Sequence, residues 1–564
     1  MADVPAGYSP LIAPTEFIVE PIAGDDERLE VGVLFVGGGP AGLAGAIRLA
    51  QLLETAPDIK AQLGDVPIAV VEKGKYPGAH LVSGAVVNPV ALRALFPAKA
   101  DSDFPFRTRV REEAVYLLSR TGQTRVPTPP TMRNHGYYSA SLSEIARWLG
   151  EQAESLGVTL LTETTAAKVL MKDGAVHGIV TGDKGLGRDG APLSNHEPGA
   201  EVHARATVIS EGVLGHLTMA LVEYLGLHGP NPQSYALGVK EVWDVPKPLA
   251  KVIHTMGWPL RPGREWREFG GSFLYPLGEK QVSLGLVVGL DHADCTLSVH
   301  DLLQDLKSHP LVKDVLEGGT RNEKGWGAKT IPEGGWYATP TRLALPGALL
   351  TGDAAGLVNV PSLKGVHYAM WSGMLAAQTI FAALKAGVNL RGPRALADYD
   401  TAVRGGFIGK DLFRVRNMRQ AFGAGFVPGA ALAGLMTASL GLLPPWRLGA
   451  HRDSEYPLKN GASRHPKPDG KLTFDKLSSV YASGNRTRDT QPNHLRIRTD
   501  VPRDVGDAWI AMCPAAVYEW GEGEDGKKVL LVNAPNCVQC GAITAKGGRF
   551  TPPEGGSGPE YTLT

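Results

Sequence analysis

The chain has 564 residues, 43% of them apolar and 20% charged, and its 57 basic and 57 acidic side chains cancel. That length holds about three to four domains, and a balanced charge excludes general nucleic-acid binding, which needs a strongly basic face. Four cysteines (Cys295, Cys513, Cys537 and Cys540) are too few for a disulfide-stapled secreted fold, and the opening MADVPAGYSP lacks a basic segment followed by an apolar run, so a cytoplasmic location is expected.

Residues 31–36, VGVLFV, suit a buried parallel strand. Gly37-Gly38-Gly39-Pro40-Ala41-Gly42 follows at once, and 43–54 read as a helix. In such a turn Gly37 permits the sharp reversal, Gly39 leaves room for a pyrophosphate, and Gly42 lets helix and strand pack closely. The helix start offers unpaired N–H groups to phosphate. A second strand at 66–71 ends in Glu72, whose carboxylate can accept hydrogen bonds from ribose hydroxyls. The spacing exceeds the usual interval of about 20 residues, so 52–65 read as an excursion. A glycine turn without a ligand is the alternative.

Residues 139–157 carry a helical pattern, and 201–209 read as a strand ahead of Glu211-Gly212, which returns the chain to the nucleotide domain. Strand-like runs such as 281–288 make 232–340 a sheet-bearing substrate domain inserted into the first. Cys295 stands alone there and reads as a structural thiol. Ala344–Leu350 reads as one strand running into Thr351-Gly352-Asp353-Ala354-Ala355-Gly356. Asp353 can meet the ribityl or pyrophosphate region, cap a helix, or both. Two distant strand–glycine segments closing on one dinucleotide suggest extended FAD, with Gly352 and Asp353 beside it.

From Gln420 to Trp446 no charged residue occurs, although Pro428, Pro444 and Pro445 interrupt the run. Lys410, Arg414, Arg416 and Arg419 precede it, and Arg447, His451 and Arg452 follow. A large buried helix is one reading. An apolar patch with basic flanks and Trp446 at the interfacial level, attached monotopically to an anionic bilayer, is the other.

Cys513-Pro514 and the pair Cys537-Val538-Gln539-Cys540 complete the chain's chemistry. Thiolates suit iron–sulfur clusters, and a Cys-Pro closes many ferredoxin ligand sets. Three thiols can hold a three-iron cluster directly, a four-iron cluster with an outside ligand such as water or an oxygen side chain (Thr544 or Asp525), or zinc with one more ligand, and a vestigial domain without metal is the remaining reading.

Taken together, these residues resemble the electron transfer flavoprotein–ubiquinone oxidoreductase family from about residue 30 to 560. The likeness is carried by Gly37 to Gly42, His80 to Ala85, Asn134-His135-Gly136, Glu211-Gly212, His254 to Leu260 and Gly270 to Tyr275. Gly285 to Asp291, Asn359 to Pro361, Lys364 to His367, Cys513 to Ala515, Asn533 to Cys537 and Pro553-Glu554 continue it.

The resemblance implies α/β and α+β architecture. It comprises a Rossmann-like FAD domain of glutathione-reductase type, an inserted ubiquinone domain and a C-terminal ferredoxin-like iron–sulfur domain. The expected stretches are 25–110, 156–231 and 341–400 for FAD and 111–155 for a connector. They are 232–340 for ubiquinone, 401–450 for membrane association and 451–564 for the cluster.

Ser83, Gly84, Asn359 and Gly365 would approach the flavin, with Glu211 among the flavin-binding residues. Backbone groups of Gly270 and Gly271 would meet the quinone head, and apolar residues around 422–443 would line the route of its tail. Cys513, Cys537 and Cys540 would bind iron. The family's fourth cysteine is Ile543 here, which leaves a non-cysteine ligand, a [3Fe–4S] cluster, or a bypass of the cluster in place of the usual [4Fe–4S].

The implied activity is that of an electron-transferring-flavoprotein dehydrogenase. Electrons would pass from reduced electron transfer flavoprotein, through cluster and FAD, to ubiquinone in the membrane quinone pool, with no acid, base or nucleophile constellation needed. The expected address is the cytoplasmic face of a bacterial inner membrane. The alternatives are a FAD-dependent monooxygenase or polyprenyl-type reductase on the same scaffold, or a non-enzymatic membrane-surface protein with structural zinc. A second complete GxGxxG is missing, so no dedicated NAD(P)H domain is expected.

Overall fold

The computed structural model describes residues 4–22, 28–261, 263–523 and 526–564. The strand Leu29–Val36 is buried from Val31 onward, as a strand covered on both faces must be. It pairs in parallel with Ile68–Val71 on one side and with Glu201–Ile209 on the other, at the centre of a nine-stranded sheet. The helix after it, Pro40–Glu54, starts with a proline at its first turn, where the fixed φ is already helical and no N–H is missed. It crosses the helix Val366–Lys385 so closely that a Cβ on Gly373 would overlap Ala41 O and one on Gly45 would lie 2.9 Å from Gly373 O.

Ala344–Leu350 is not one strand. Ala344–Leu345 and Ala348–Leu350 run antiparallel, reversing through Pro346-Gly347 with Gly347 at φ 75°. The Pro-Gly turn signal outweighs the apolar run around it. The second piece joins Glu201–Ile209 in parallel and delivers Thr351 to Asp353 beside the glycine turn. Tyr399 Oη donates to Leu350 O at 2.9 Å in a buried setting. Tyr399→Phe leaves that carbonyl unsatisfied and should lower unfolding stability by about 1–3 kcal/mol. An unchanged urea midpoint would remove this hydroxyl from the account of how the strand is held.

A second sheet of seven strands runs in the order Thr320–Pro332, Tyr235–Asp244, Gln281–Gly289, Gly270–Pro276, Val252–Gly257, Glu113–Leu118, Gln123–Val126. The stretch 111–155 therefore divides. Two of its three strands complete this sheet and the third, Tyr138–Ala140, joins a separate small one, while the helix Leu142–Ser155, capped by Ser141 Oγ accepting from Glu144 N, carries a buried face against Pro40–Glu54. The C-terminal part adds the helix Arg503–Met512 and the antiparallel pair Tyr518–Glu522 and Lys528–Val532. Its core is continuous with that of the second sheet, since Leu237, Leu284, Trp326, Trp509, Cys513 and Cys537 belong to one apolar cluster. The nucleotide sheet keeps a separate core.

The uncharged run is broken into the 3-10 turn Phe422–Ala424, the helix Phe426–Ala438 and irregular chain. No helix among the described residues is long and apolar enough to cross a membrane. Val427, Leu440, Leu442 and Trp446 are each more than 60% exposed, so the run is not a wholly buried helix. The basic flank is smaller than its sequence suggests. Arg416 is buried and donates to Gly441 O and Pro444 O, and Arg419 is buried in an ion network. Lys410, Arg414, His451 and Arg452 remain exposed.

Candidate functional site

A cavity of about 1040 Å³ runs between the two sheets. At one end Gly37, Gly39 and Pro40 line it together with Glu72, Glu211, Asp353 and Gly365. A Cβ at Gly39 would meet nothing within 4 Å, so the space before that residue is open. A Cβ at Gly42 would overlap Gly37 O, so Gly42 serves helix–turn packing and does not line the cavity. The helix Pro40–Glu54 has no side-chain cap and no acidic residue in its first turn. Its free amides and dipole suit an anion. This cradle fits a dinucleotide.

The carboxylates are more committed than the sequence indicates. Glu72 accepts from Gly38 N at 2.9 Å and from Gly74 N at 2.6 Å, so it ties the glycine turn to its own strand end. Glu211 accepts from Thr218 N at 2.8 Å and Thr218 Oγ1 at 2.9 Å and lies 3.3 Å from His216 Nδ1. It is thus spent on the start of the helix His216–Tyr224. Asp353 faces the hollow with its carboxyl pushed up to about 6 by burial, against the pull of Lys329.

Gly352 sits at φ 58° and donates its N–H to Ser372 Oγ at 2.9 Å. Asn359 Oδ1 accepts from Ser362 N at 3.2 Å and shapes the loop before Gly365. Neither lines the cavity. Ser83 and Gly84 do, and both are clamped from the second sheet, by Lys240 Nζ to Ser83 O at 2.8 Å and Ser283 Oγ to Gly84 O at 2.9 Å.

Further along, Gly270 and Gly271 line the same cavity. A Cβ on Gly270 would overlap Val287 O, and one on Gly271 would stand 2.5 Å from Thr255 O, so only glycine lets these strands pair here. Phe422, Phe426, Ala430, Ala433 and Thr437 close this end. The apolar helix thus forms part of the cavity wall and of the outer surface at once.

The thiols meet at the far side of the wall. Burial raises the Cys537 thiol, with Cys540 and then Cys513 acting on it across a shared space. Val517 N lies 3.5 Å from Cys513 Sγ and Gln539 N lies 3.4 Å from Cys537 Sγ, the N–H···S contacts that stabilise bound thiolates. Ile543 is 5% exposed and lies in the same apolar core. A Cβ on Gly548 would sit 2.5 Å from Ile543 Cγ1, so that position is filled by hydrocarbon. Thr544 Oγ1 accepts from Phe550 N at 2.9 Å, and Asp525 lies outside the described residues. Among the described residues no three His, Cys, Asp or Glu side chains gather tightly enough to hold a single metal ion. Two buried thiols, Cys513 and Cys537, with the partly buried Cys540 fit a cluster, in which each ligand binds a different iron; the side chain at position 543 offers no donor.

Four residues with no local sequence signal join the two centres. Lys73 Nζ donates to Gln539 Oε1 at 2.6 Å, and Lys329 Nζ donates to Gln539 O at 2.9 Å. Thr330 donates to Cys540 O through both N and Oγ1. Gln539 and Gly541, inside and just after the cysteine pair, line the cavity. Burial, then Lys329, lowers Lys73 to about 7.

Comparison with known proteins follows this layout. A model described as "ETF-QO, ubiquinone-binding" matches residues 235–331, and one described as "Electron transfer flavoprotein-ubiquinone oxidoreductase, 4Fe-4S" matches 470–562. The mitochondrial electron transfer flavoprotein-ubiquinone oxidoreductase of Dictyostelium discoideum is 40% identical over 562 residues, spanning 94% of this chain and 90% of that one. The chain belongs to the electron transfer flavoprotein–ubiquinone oxidoreductase family.

The family members from Caenorhabditis elegans and Homo sapiens are each 39% identical, over 94% of this chain and 91% and 89% of theirs. A geranylgeranyl bacteriochlorophyll reductase-like protein from Thermoplasma acidophilum superposes with a TM-score of 0.52 at 19% identity, covering 76% of this chain and 93% of that one, which shows a shared fold. The expected address on the cytoplasmic face of a bacterial inner membrane is corrected. The family members compared are all named mitochondrial. An opening segment without a secretory pattern does not distinguish one membrane from another.

Proposed function

We propose that this chain takes electrons from reduced electron transfer flavoprotein and passes them, by way of an iron–sulfur centre and FAD, to ubiquinone drawn from a membrane surface. The observation that carries the reading is a single cavity. It reaches from the glycine turn, past Gly270 and Gly271, to the partly exposed apolar helix Phe426–Ala438, with the thiol loop entering its wall at Gln539 and Gly541. The use of 232–340 for quinone and 451–564 for the cluster belongs to the same proposal.

When bound, FAD takes up electrons singly or in pairs and an iron–sulfur centre takes one, which together match a one-electron donor to a two-electron acceptor. The chain supplies position and surroundings. Amides at the start of Pro40–Glu54 hold the pyrophosphate, and Gly39 leaves it room. Glu72 keeps the turn in shape, and Asp353 and Gly365 border the flavin. Ser83 and Gly84, fixed by Lys240 and Ser283, would be among the residues that border it. Backbone groups of Gly270 and Gly271 orient the quinone head, while Phe422 and Phe426 keep bulk water from it.

Cys513, Cys537 and Cys540 hold the iron. Ile543 presents no donor and packs as hydrocarbon, and a three-iron centre is the one that three thiols complete by themselves, so it is the form this reading favours. The test is to quantify flavin, iron and sulfide in purified protein and to measure reduction of a short-chain ubiquinone by reduced electron transfer flavoprotein. Expected are one flavin, three irons, quinone turnover and an electron paramagnetic resonance signal already present in the oxidised protein. Zinc in place of iron, or flavin without quinone turnover, would overturn the proposal.

A further inference from the structure

Reducing a quinone takes two protons as well as two electrons, and the quinone end of the cavity is walled largely by hydrocarbon. We propose that Glu333 is the proton donor to the quinone. This rests on the quinone site proposed above beside Gly270 and Gly271.

Glu333 follows the strand Thr320–Pro332 directly, is 5% exposed, and lines the cavity. Its Oε2 accepts from Arg419 Nε at 2.7 Å. The same guanidinium donates through Nη2 to Asp291 Oδ1 at 2.7 Å. Two carboxylates thus share one cation, an arrangement that favours retaining a proton on one of them. The array belongs to the quinone end. Arg419 lies over the Phe269 ring, 4.3 Å from its centroid, and that ring is 4.8 Å from Phe422. Phe269 is the residue before Gly270.

A route to water is present behind the array. A hollow of about 30 Å³ is lined by Asp291, Arg419, Arg267 and Phe422, large enough for a water molecule. Arg267 closes it, 3.5 Å from Asp291 Oδ2 and 26% exposed. Arg264 and Glu268 also line the hollow, Glu268 being paired with Arg261 Nε at 2.9 Å, and Lys546 and Asp453 lie beyond Asp291. Burial raises the Glu333 carboxyl, with Arg419 opposing it and Asp291 adding to it. Burial acts the same way on Asp291, but Arg419 and Arg267 hold that carboxyl below the ordinary range. Glu333 is therefore the member that keeps the proton. The other cavity carboxylates are less suited: Glu72 and Glu211 are committed to backbone amides, and Asp353 lies beside the glycine turn.

In the step, electrons delivered by the established pathway make a quinone oxygen basic. An O–H bond forms there as the Glu333 O–H bond breaks, and the carboxylate left behind is held by Arg419. Water in the hollow reloads it through Asp291, and a second passage completes the hydroquinone.

Glu333→Gln and Glu333→Asp, made in the full chain with its cofactors, test this. Two acceptors are compared: a short-chain ubiquinone, and a ferricenium salt that takes an electron and no proton. Glu333→Gln is expected to lower kcat for the quinone by about 100-fold or more while KM stays within about twofold. The carboxyl limb of the wild-type pH profile should vanish, and Glu333→Asp should restore part of the rate. An unchanged quinone kcat, or an equal loss with ferricenium, overturns the assignment. Wild-type protein that reduces ferricenium but no quinone overturns the functional reading beneath it.

Discussion

A valine at position 39 is expected to give a folded protein that purifies without flavin. Gly39 is extended, with φ −88° and ψ −176°, so a β-branched residue fits its backbone. Its Cβ would meet no protein atom within 4 Å. The side chain would instead fill the open space against the uncapped helix start, where a pyrophosphate has to lie. Affinity for FAD should fall by about 100-fold or more, or about 3 kcal/mol, with little change in secondary structure. Flavin absorbance after purification and a thermal melt read the two effects apart. Stoichiometric flavin in Gly39→Val would place the phosphates elsewhere. The same experiment at Gly42 is uninformative, because a Cβ there collides with Gly37 O and disturbs the protein itself.

Ile543→Cys should turn the three-iron centre into a four-iron one. The replacement puts a thiol where a buried hydrocarbon now packs beside Gly548 and Ile497. Iron should rise from three to four per chain, and the paramagnetic signal of the oxidised protein should disappear. Loss of packing should cost about 1–2 kcal/mol of stability, offset in the loaded protein by the added metal–sulfur bond. Iron content that stays at the wild-type value would mean that position 543 does not face the cluster. The idea would then need a different fourth corner.

The strand–turn–helix at the nucleotide end was legible because glycine, proline and apolar residues fall at fixed local offsets, and local offsets are what a sequence displays. The commitments of the carboxylates were not. Glu72 and Glu211 stand where ligand contacts are expected, yet their oxygens also satisfy backbone amides whose positions depend on the completed fold. Lys73 and Gln539 are 466 residues apart, and Glu333 and Arg419 are 86 apart. No periodicity or spacing connects them. Arg416 and Arg419 read as membrane-facing charges because they precede an apolar run, but the chain turns them inward to carbonyls and carboxylates. The apolar run itself was visible, while its division into a short helix and exposed irregular chain follows from Gly425, Gly441 and the prolines.

The crossing of Pro40–Glu54 with Val366–Lys385 has a consequence for biosynthesis. The first of these helices leaves the ribosome with a wholly apolar face, and its partner emerges only several hundred residues later. At a synthesis rate of about 5–20 residues per second the interval is roughly 15–60 s. During that time the nascent nucleotide-binding half has no cover for a surface that sticks to other chains. The helix layer of the nucleotide-binding half therefore cannot close until the chain has been made past Lys385, so this half folds to completion late in synthesis and not as its first segments emerge.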